Sequence, residues 1–310
     1  MKNKIVFAGS PDFAVESLQE LFENDNNDIR LVISQQDKKR NRNKFSPTAV
    51  KKRAMELGID VITPKNINDQ EVYELLDELN PDFIVVVAYG QIIKKKILNR
   101  FKNKILNVHA SILPKYRGAS PINYSLINGD EKTGVSIMLV EEGLDSGDIL
   151  AIDEVKIDNE IMLEQLHDKL MIMGAKLINK VIDNYDEYFS QKRKQDDSLS
   201  STVGKITKTM GEIDFNEKAD EIYNKYRGLS PWPGLFFKLN EKIVKIHNIN
   251  IIKQYNDHIN GEVVKVDKNG IKISCQDGYI IITRLQFPNK KPLDVSEFLN
   301  GNSFDEGIIL

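Results

Sequence analysis

Asp82-Phe83-Ile84-Val85-Val86-Val87-Ala88 carries the strongest fold signal in the chain. After Asp82 the run is apolar without alternation, so neither face of a strand built from it can meet water. A strand of that kind belongs in the middle of a parallel sheet covered by helices on both sides. On either side of it, short apolar runs near 4–9, 29–34, 60–63, 104–109 and 133–140 read as further strands. Between them, amphipathic stretches near 12–23, 47–57, 68–79, 119–128 and 161–187 read as helices, with Pro47 and Asp69 near starts and Gly58 and Gly129 near ends. The alternation predicts an α/β unit with a doubly wound, mostly parallel sheet.

Past about residue 188 the grammar changes. Tyr188 to Ser198 is polar and without periodicity, which suits a connecting segment over 188–208. After a helix near 217–228, short alternating segments at 242–250, 261–266, 271–275 and 279–286 are punctuated by Asn269-Gly270 and Asp277-Gly278, both hairpin signals. Residues 209–310 therefore predict a small β-barrel or sandwich, and residues 1–187 the α/β unit; a chain of 310 residues has room for both cores.

With 41% hydrophobic and 29% charged residues the composition is that of an ordinary globular protein. A formal net charge of −3 argues against a protein that coats nucleic acid indiscriminately. Any RNA contact must come from local patches, of which Lys38, Lys39, Arg40, Arg42 and Lys44 form the densest and Lys205 with Lys208 a thinner second. The single cysteine, Cys275, excludes an internal disulfide and reads as a small strand side chain. Met1 leads directly into Ile5-Val6-Phe7-Ala8 with no signal-peptide pattern, and no run is long enough to span a membrane, so a cytoplasmic protein is expected.

Several chemistries lack their motif. The first strand ends in Ala8-Gly9-Ser10-Pro11-Asp12-Phe13-Ala14, one glycine where a dinucleotide-binding turn needs three. There is no phosphate-cradling Gly-x-x-x-x-Gly-Lys-Ser/Thr run, and the four histidines lack metal-ligand spacing, so no metal is expected. What does stand out is Asn107-Val108-His109-Ala110-Ser111-Ile112-Leu113-Pro114. In a strand, side chains two apart share a face, and the end of a parallel strand is where open α/β sheets bind ligands. The loop after strand 133–140, Glu141-Glu142-Gly143-Leu144-Asp145-Ser146-Gly147-Asp148, is expected at the same sheet edge, bringing Asp145 towards His109. A carboxylate beside an imidazole fixes its orientation and stabilises its charged form, while an asparagine amide can donate to an oxygen gaining negative charge. That equipment suits acyl-type transfer to an external nucleophile. No serine or cysteine sits in a nucleophile-elbow pattern, which disfavours a covalent acyl-enzyme. Taken separately, the same polar residues would also suit loop and turn positions.

Together, Asn107-x-His109, Ser111-Ile112-Leu113-Pro114 and Gly143-Leu144-Asp145-Ser146-Gly147-Asp148 resemble the signature of the folate-dependent formyltransferases. Phe7 to Ala14, Val85 to Gly90, Lys115 to Ile122 and Tyr226 to Gly234 resemble the branch of that family acting on methionyl-tRNA, so the likeness spans nearly the whole chain. The resemblance implies a Rossmann-like formyltransferase domain, an OB-like β-barrel that holds tRNA, 10-formyltetrahydrofolate as co-substrate and initiator methionyl-tRNA as acceptor; a monomer is expected. It implies Asn107, His109 and Asp145 as the catalytic trio, and Ser111, Ile112, Leu113 and Pro114 as a folate-binding segment in which Ile112 replaces the usual leucine. The pterin would lie against Tyr89, Gly90, Val140 and Leu144, and Lys38, Lys39, Arg40, Arg42, Lys44, Lys205 and Lys208 would face tRNA, although the first cluster lacks the glycines usual there. Two other readings compete. A formyltransferase acting on a small amine would share the first half, and a non-enzymatic RNA-binding module would use the cations while leaving the trio unexplained. Trp232, flanked by Pro231 and Pro233, reads as a domain anchor rather than a base-stacking platform.

Overall fold

A computed structural model describes residues 2–40 and 44–310. In chain order the first half runs β1 (Asn3–Gly9), α1 (Val15–Glu23), β2 (Asn27–Ile33), β3 (Lys38–Arg40), β4 (Lys44–Ser46), α2 (Ala49–Glu56), β5 (Val61–Ile62), α3 (Gln70–Leu79), β6 (Phe83–Val87), α4 (Lys95–Arg100) and β7 (Ile105–His109). It continues through β8 (Arg117–Gly118), α5 (Pro121–Ile127), β9 (Lys132–Leu139), β10 (Ile149–Lys156), α6 (Leu163–Asp183), α7 (Tyr185–Ser190) and β11 (Thr202–Val203). The remainder contains α8 (Ala219–Leu229), β12 (Leu235–Leu239), β13 (Lys242–Lys253), β14 (Val263–Asp267), β15 (Gly270–Cys275), β16 (Gly278–Gln286), β17 (Leu293–Asp294) and α9 (Val295–Phe298). Two compact units result. The first gathers the chain up to Pro121 with Lys132–Lys156 and Glu164–Val203; the second gathers Ile122–Glu131, Ile157–Leu163 and Gly204–Leu310.

In the first unit the sheet order is β10-β9-β7-β6-β1-β2-β5. The doubly wound, mostly parallel arrangement is present: β1, β2, β5, β6 and β7 run parallel, and the chain order reverses between β1 and β6. Phe83, Ile84, Val85 and Val87 of the unbroken apolar run are buried, as a strand covered on both faces requires. Gly9 closes β1 where an added Cβ would lie 3.0 Å from Ala14 Cβ and 3.1 Å from the Val87 carbonyl, so its single glycine serves packing. The helix punctuation follows the expected chemistry: the Thr48 side chain caps α2, and Gly58 and Gly129 adopt φ +72° and +67° beyond helix ends. Gly174 of α6 lets that helix lie close on the sheet, its absent Cβ falling 2.9 Å from Val108 Cγ1.

The strand expected near 133–140 does not finish at the edge where the parallel strands do. β9 pairs antiparallel with β7, Leu139 opposite Leu106 and Ser136 opposite His109, and β10 pairs antiparallel with β9. The loop after β9 therefore leaves near the amino end of β7, where the Val140 amide donates to the Ile105 carbonyl, not at the edge where the parallel strands finish. It still reaches His109, because it doubles back before β10 begins opposite Met138.

The second unit is an antiparallel sheet ordered β12-β13-β16-β15-β14, with β17 added to β16. Both hairpins expected from sequence form, with Asp267 paired to Gly270 and Cys275 to Gly278. Ile271, Ile273, Cys275, Ile280 and Ile282 share a buried core with residues of α8, and an isoleucine taken fully out of water contributes about 1.5–3 kcal/mol before entropy. Segments distant in sequence complete this unit. Arg227 Nη1 donates to the Asp158 carbonyl at 3.0 Å, and Asn123 Nδ2 donates to the Gly228 carbonyl at 2.8 Å. The polar tract after 188 carries structure of its own: α7, a bridge between Arg193 and Ile149, and β11 paired with β8.

Candidate active site

β7 delivers the first two polar groups. Its register sets Asn107 beside Val86 of β6 and Met138 of β9, and places Asn107 and His109 on one face of the strand. Asn107 is half-buried, and its amide enters no hydrogen bond among the described residues, so its donors remain available. His109 is 6% exposed. Its Nε2–H donates to the Tyr116 carbonyl at 2.9 Å, and its Nδ1 lies 3.7 Å from Asp145 Oδ2. One ring nitrogen thus faces a main-chain carbonyl and the other a carboxylate.

Asp145 is held more firmly by the main chain than by the histidine. Its Oδ2 accepts the Gly118 amide at 2.8 Å, and its backbone sits at φ 48°, an uncommon conformation for a residue with a side chain. Gly118 is a position only glycine can occupy, at φ +110° with an added Cβ 2.3 Å from the Val203 carbonyl. Gln195, 7% exposed, donates from Nε2 to the carbonyls of Asp145 and Gly147, both at 2.8 Å. Arg117 Nε and Nη2 donate to Gln195 Oε1 at 3.0 and 2.9 Å. Sequence reasoning passed over Gln195, because a polar tract without periodicity gives no sign that one of its residues is buried.

The residues expected against folate fall into two groups. Ser111 is buried with its hydroxyl donating to the Lys115 carbonyl at 2.6 Å, and Leu113 packs on Met138 and Ile149, while Ile112 and Pro114 are partly exposed. Ser136 Oγ ties this segment to β9, donating to the Ser111 carbonyl at 2.7 Å and accepting the Leu113 amide at 3.1 Å. Tyr89 turns its ring into the core, where its hydroxyl has no partner among the described residues and burial pushes its pKa up to about 12. The turn it belongs to reaches the surface at Gly90, exposed at φ +81°, with the Gln35 side chain beside it donating from Nε2 to the Tyr89 carbonyl at 2.7 Å. Val140 is half-buried and Leu144 is 57% exposed. Lys95 Nζ pairs with Glu142 at 3.1 Å, linking the start of α4 to the loop of Leu144, and Ile92 just before α4 is also exposed.

Of the basic cluster, Lys38, Lys39 and Arg40 lie on β3 and Lys44 on β4, which pair as an antiparallel ribbon; Arg42 lies outside the described residues. Lys51 of α2 bonds Asp37 at the foot of that ribbon, at 2.9 Å. Lys205 and Lys208 are exposed in the second unit and enter no ion pair among the described residues. Trp232 is 53% exposed, which corrects its reading as an anchor. No group of three or more His, Cys, Asp or Glu side chains suited to a metal occurs among the described residues, and no helix there is long and apolar enough to cross a membrane.

Comparison with known proteins matches residues 2–182 to the family described as formyl transferase and residues 205–303 to the formyl transferase C-terminal domain. A methionyl-tRNA formyltransferase from Finegoldia magna is 79% identical over 310 residues, covering 100% of both chains. A methionyl-tRNA formyltransferase from Clostridium acetobutylicum is 44% identical over 99% of both chains. Among solved structures, WlaRD, a sugar 3N-formyl transferase crystallised in the presence of dTDP and 5-N-formyl-THF, superposes with a TM-score of 0.66 at 24% identity. That match covers 94% of this chain and 100% of WlaRD, and at such identity it speaks for the fold alone.

Proposed function

The chain belongs to the formyl transferase family, and on that basis we propose that it transfers the formyl group of 10-formyltetrahydrofolate to the α-amine of initiator methionyl-tRNA. The observation that carries the acceptor is the full-length likeness to methionyl-tRNA formyltransferases, which extends through the second unit as well as the first. In this reading residues 1–187 carry the chemistry, and the antiparallel unit within 209–310, together with Lys38, Lys39, Arg40, Arg42, Lys44, Lys205 and Lys208, holds the tRNA.

The folate has a surface that suits it. Ile92 and Leu144 expose apolar side chains on two segments bridged by Lys95 and Glu142, with exposed Gly90 two residues before Ile92. A flat bicyclic ring buries its faces against apolar groups and its edges against main-chain donors and acceptors. Ser111 to Pro114 contribute by shape, since the Ser111 hydroxyl is already engaged.

The neutral α-amine attacks the formyl carbon, a C–N bond forms, and the carbonyl oxygen becomes an oxyanion. Asn107 offers an unengaged amide donor to that oxygen, and His109 in its protonated form offsets the charge. The proton lost from the attacking nitrogen and the proton gained by N10 balance, the C–N10 bond breaks, and tetrahydrofolate leaves. His109 serves as the acid once one ring nitrogen releases its present acceptor, directly or through a water. Asp145 holds the imidazolium against the strand end.

Formyl transfer is measured with 10-formyltetrahydrofolate and methionyl-tRNA, beside amino-sugar nucleotides and a purine-precursor amine. Formylation of methionyl-tRNA at rates well above the panel is expected. Activity confined to the small amines would overturn the acceptor.

A further inference from the structure

We propose that Gln195 is a positioning residue for the His109–Asp145 pair, acting through the main chain of the Asp145 loop. The proposal rests on the formyl-transfer reading above. Gln195 lies outside both matched family spans, which end at 182 and resume at 205, in a tract whose sequence suggests only a connection.

Every bonding position of its amide is used. Two donors go to the Asp145 and Gly147 carbonyls, and the oxygen accepts twice from Arg117, whose Nη2 also bonds Asp197 at 2.8 Å. A side chain buried with this many partners fixes what it touches. What it touches is the backbone of a residue in left-handed conformation, whose carboxylate sits 3.7 Å from the imidazole. That gap is a few tenths of an ångström beyond hydrogen-bond contact, so a small displacement of the loop decides whether His109 and Asp145 meet.

The same stretch pins the other side of the ring. Ser201 Oγ accepts the Tyr116 amide at 2.9 Å, the Ser201 carbonyl accepts the Arg117 amide at 2.8 Å, and the Val203 carbonyl accepts the Ala119 amide at 3.0 Å. Both acceptors that face the imidazole, the Asp145 carboxylate and the Tyr116 carbonyl, therefore belong to loops held by residues 195–203. Gln195 is the member of that strap whose side chain bonds both loops, Arg117 on one and Asp145 with Gly147 on the other.

Two variants separate positioning from mere support. Gln195→Leu removes all four bonds. Gln195→Glu keeps an acceptor for Arg117 but sets its other carboxylate oxygen against two carbonyls. Each is measured alone and combined with Asp145→Asn, for kcat, for KM of both substrates and for the thermal midpoint. Each substitution alone is expected to lower kcat about 10–10²-fold, as misplacement by an ångström or less does, with KM values within about threefold. In the Asp145→Asn background it should cost less than about threefold, because the carboxylate it positions has lost its charge. An equal loss in both backgrounds, an unchanged kcat, or failure of both variants to fold would overturn the proposal. Should methionyl-tRNA not be formylated at all, the functional reading fails separately. The cycle is then read with whichever amine the protein accepts, since the pair acts on the formyl group.

Discussion

Replacing Asp145 by asparagine isolates the charge of the pair from its geometry. The carbonyl oxygen of the introduced amide can take the place of Oδ2 and keep the Gly118 amide bond of 2.8 Å, so the loop retains its anchor. What disappears is a negative charge 3.7 Å from His109 Nδ1, on side chains 6% and 16% exposed for His109 and Asp145. At that distance and an effective dielectric of about 20, two unit charges interact by about 4 kcal/mol, an upper figure because water reaches part of the carboxylate. Loss of most of that from the transition state corresponds to a fall in kcat of about 10²–10³-fold. The assay is single-turnover formyl transfer at saturating substrates, with steady-state KM values and a thermal midpoint measured alongside. KM should stay within about threefold, as expected when an interaction acts mainly in the transition state. Asp145→Ala supplies the contrast, since it also orphans the Gly118 amide and should lower the midpoint as well. A kcat for Asp145→Asn within about fivefold of wild type, about 1 kcal/mol, across the accessible pH range would refute the pairing as a source of catalysis.

Asn107→Ala should lower kcat by about 10²–10³-fold through loss of an oxyanion donor, with folate binding by calorimetry unchanged; near-normal turnover at saturation would remove Asn107 from the reaction. Arg42→Leu should depress kcat/KM for methionyl-tRNA with a reduced salt slope and intact folate affinity, and equal values at every salt concentration would make the basic segment a bystander. Tyr89→Phe removes a buried hydroxyl that has no partner among the described residues. It should therefore leave the protein equally stable, or more stable by about 1–3 kcal/mol, in urea unfolding; a clear loss of stability would mean that the hydroxyl is bonded in solution.

Features whose signal is local were legible in the chain alone. The unbroken apolar run at Phe83–Val87 required a strand covered on both faces, the glycines beyond α2 and α5 marked helix ends, and the turn dipeptides before β15 and β16 marked hairpins. Asn107 and His109 stood out because a two-residue strand spacing aligns side chains whatever surrounds the strand. Strand direction is not local. The residues of β9 look the same run parallel or antiparallel, and only its hydrogen-bonding against β7 reversed the expected exit of the Asp145 loop. Nor is burial of a polar residue local: nothing in Lys194-Gln195-Asp196 distinguishes a solvated connection from a clamp, until Arg117 and the Asp145 carbonyl, 78 and 50 residues away, arrive to satisfy the amide. Those features emerge only in the folded chain because each depends on which distant backbone groups come to lie against the residue, and a buried amide is tolerable only once all of them are in place.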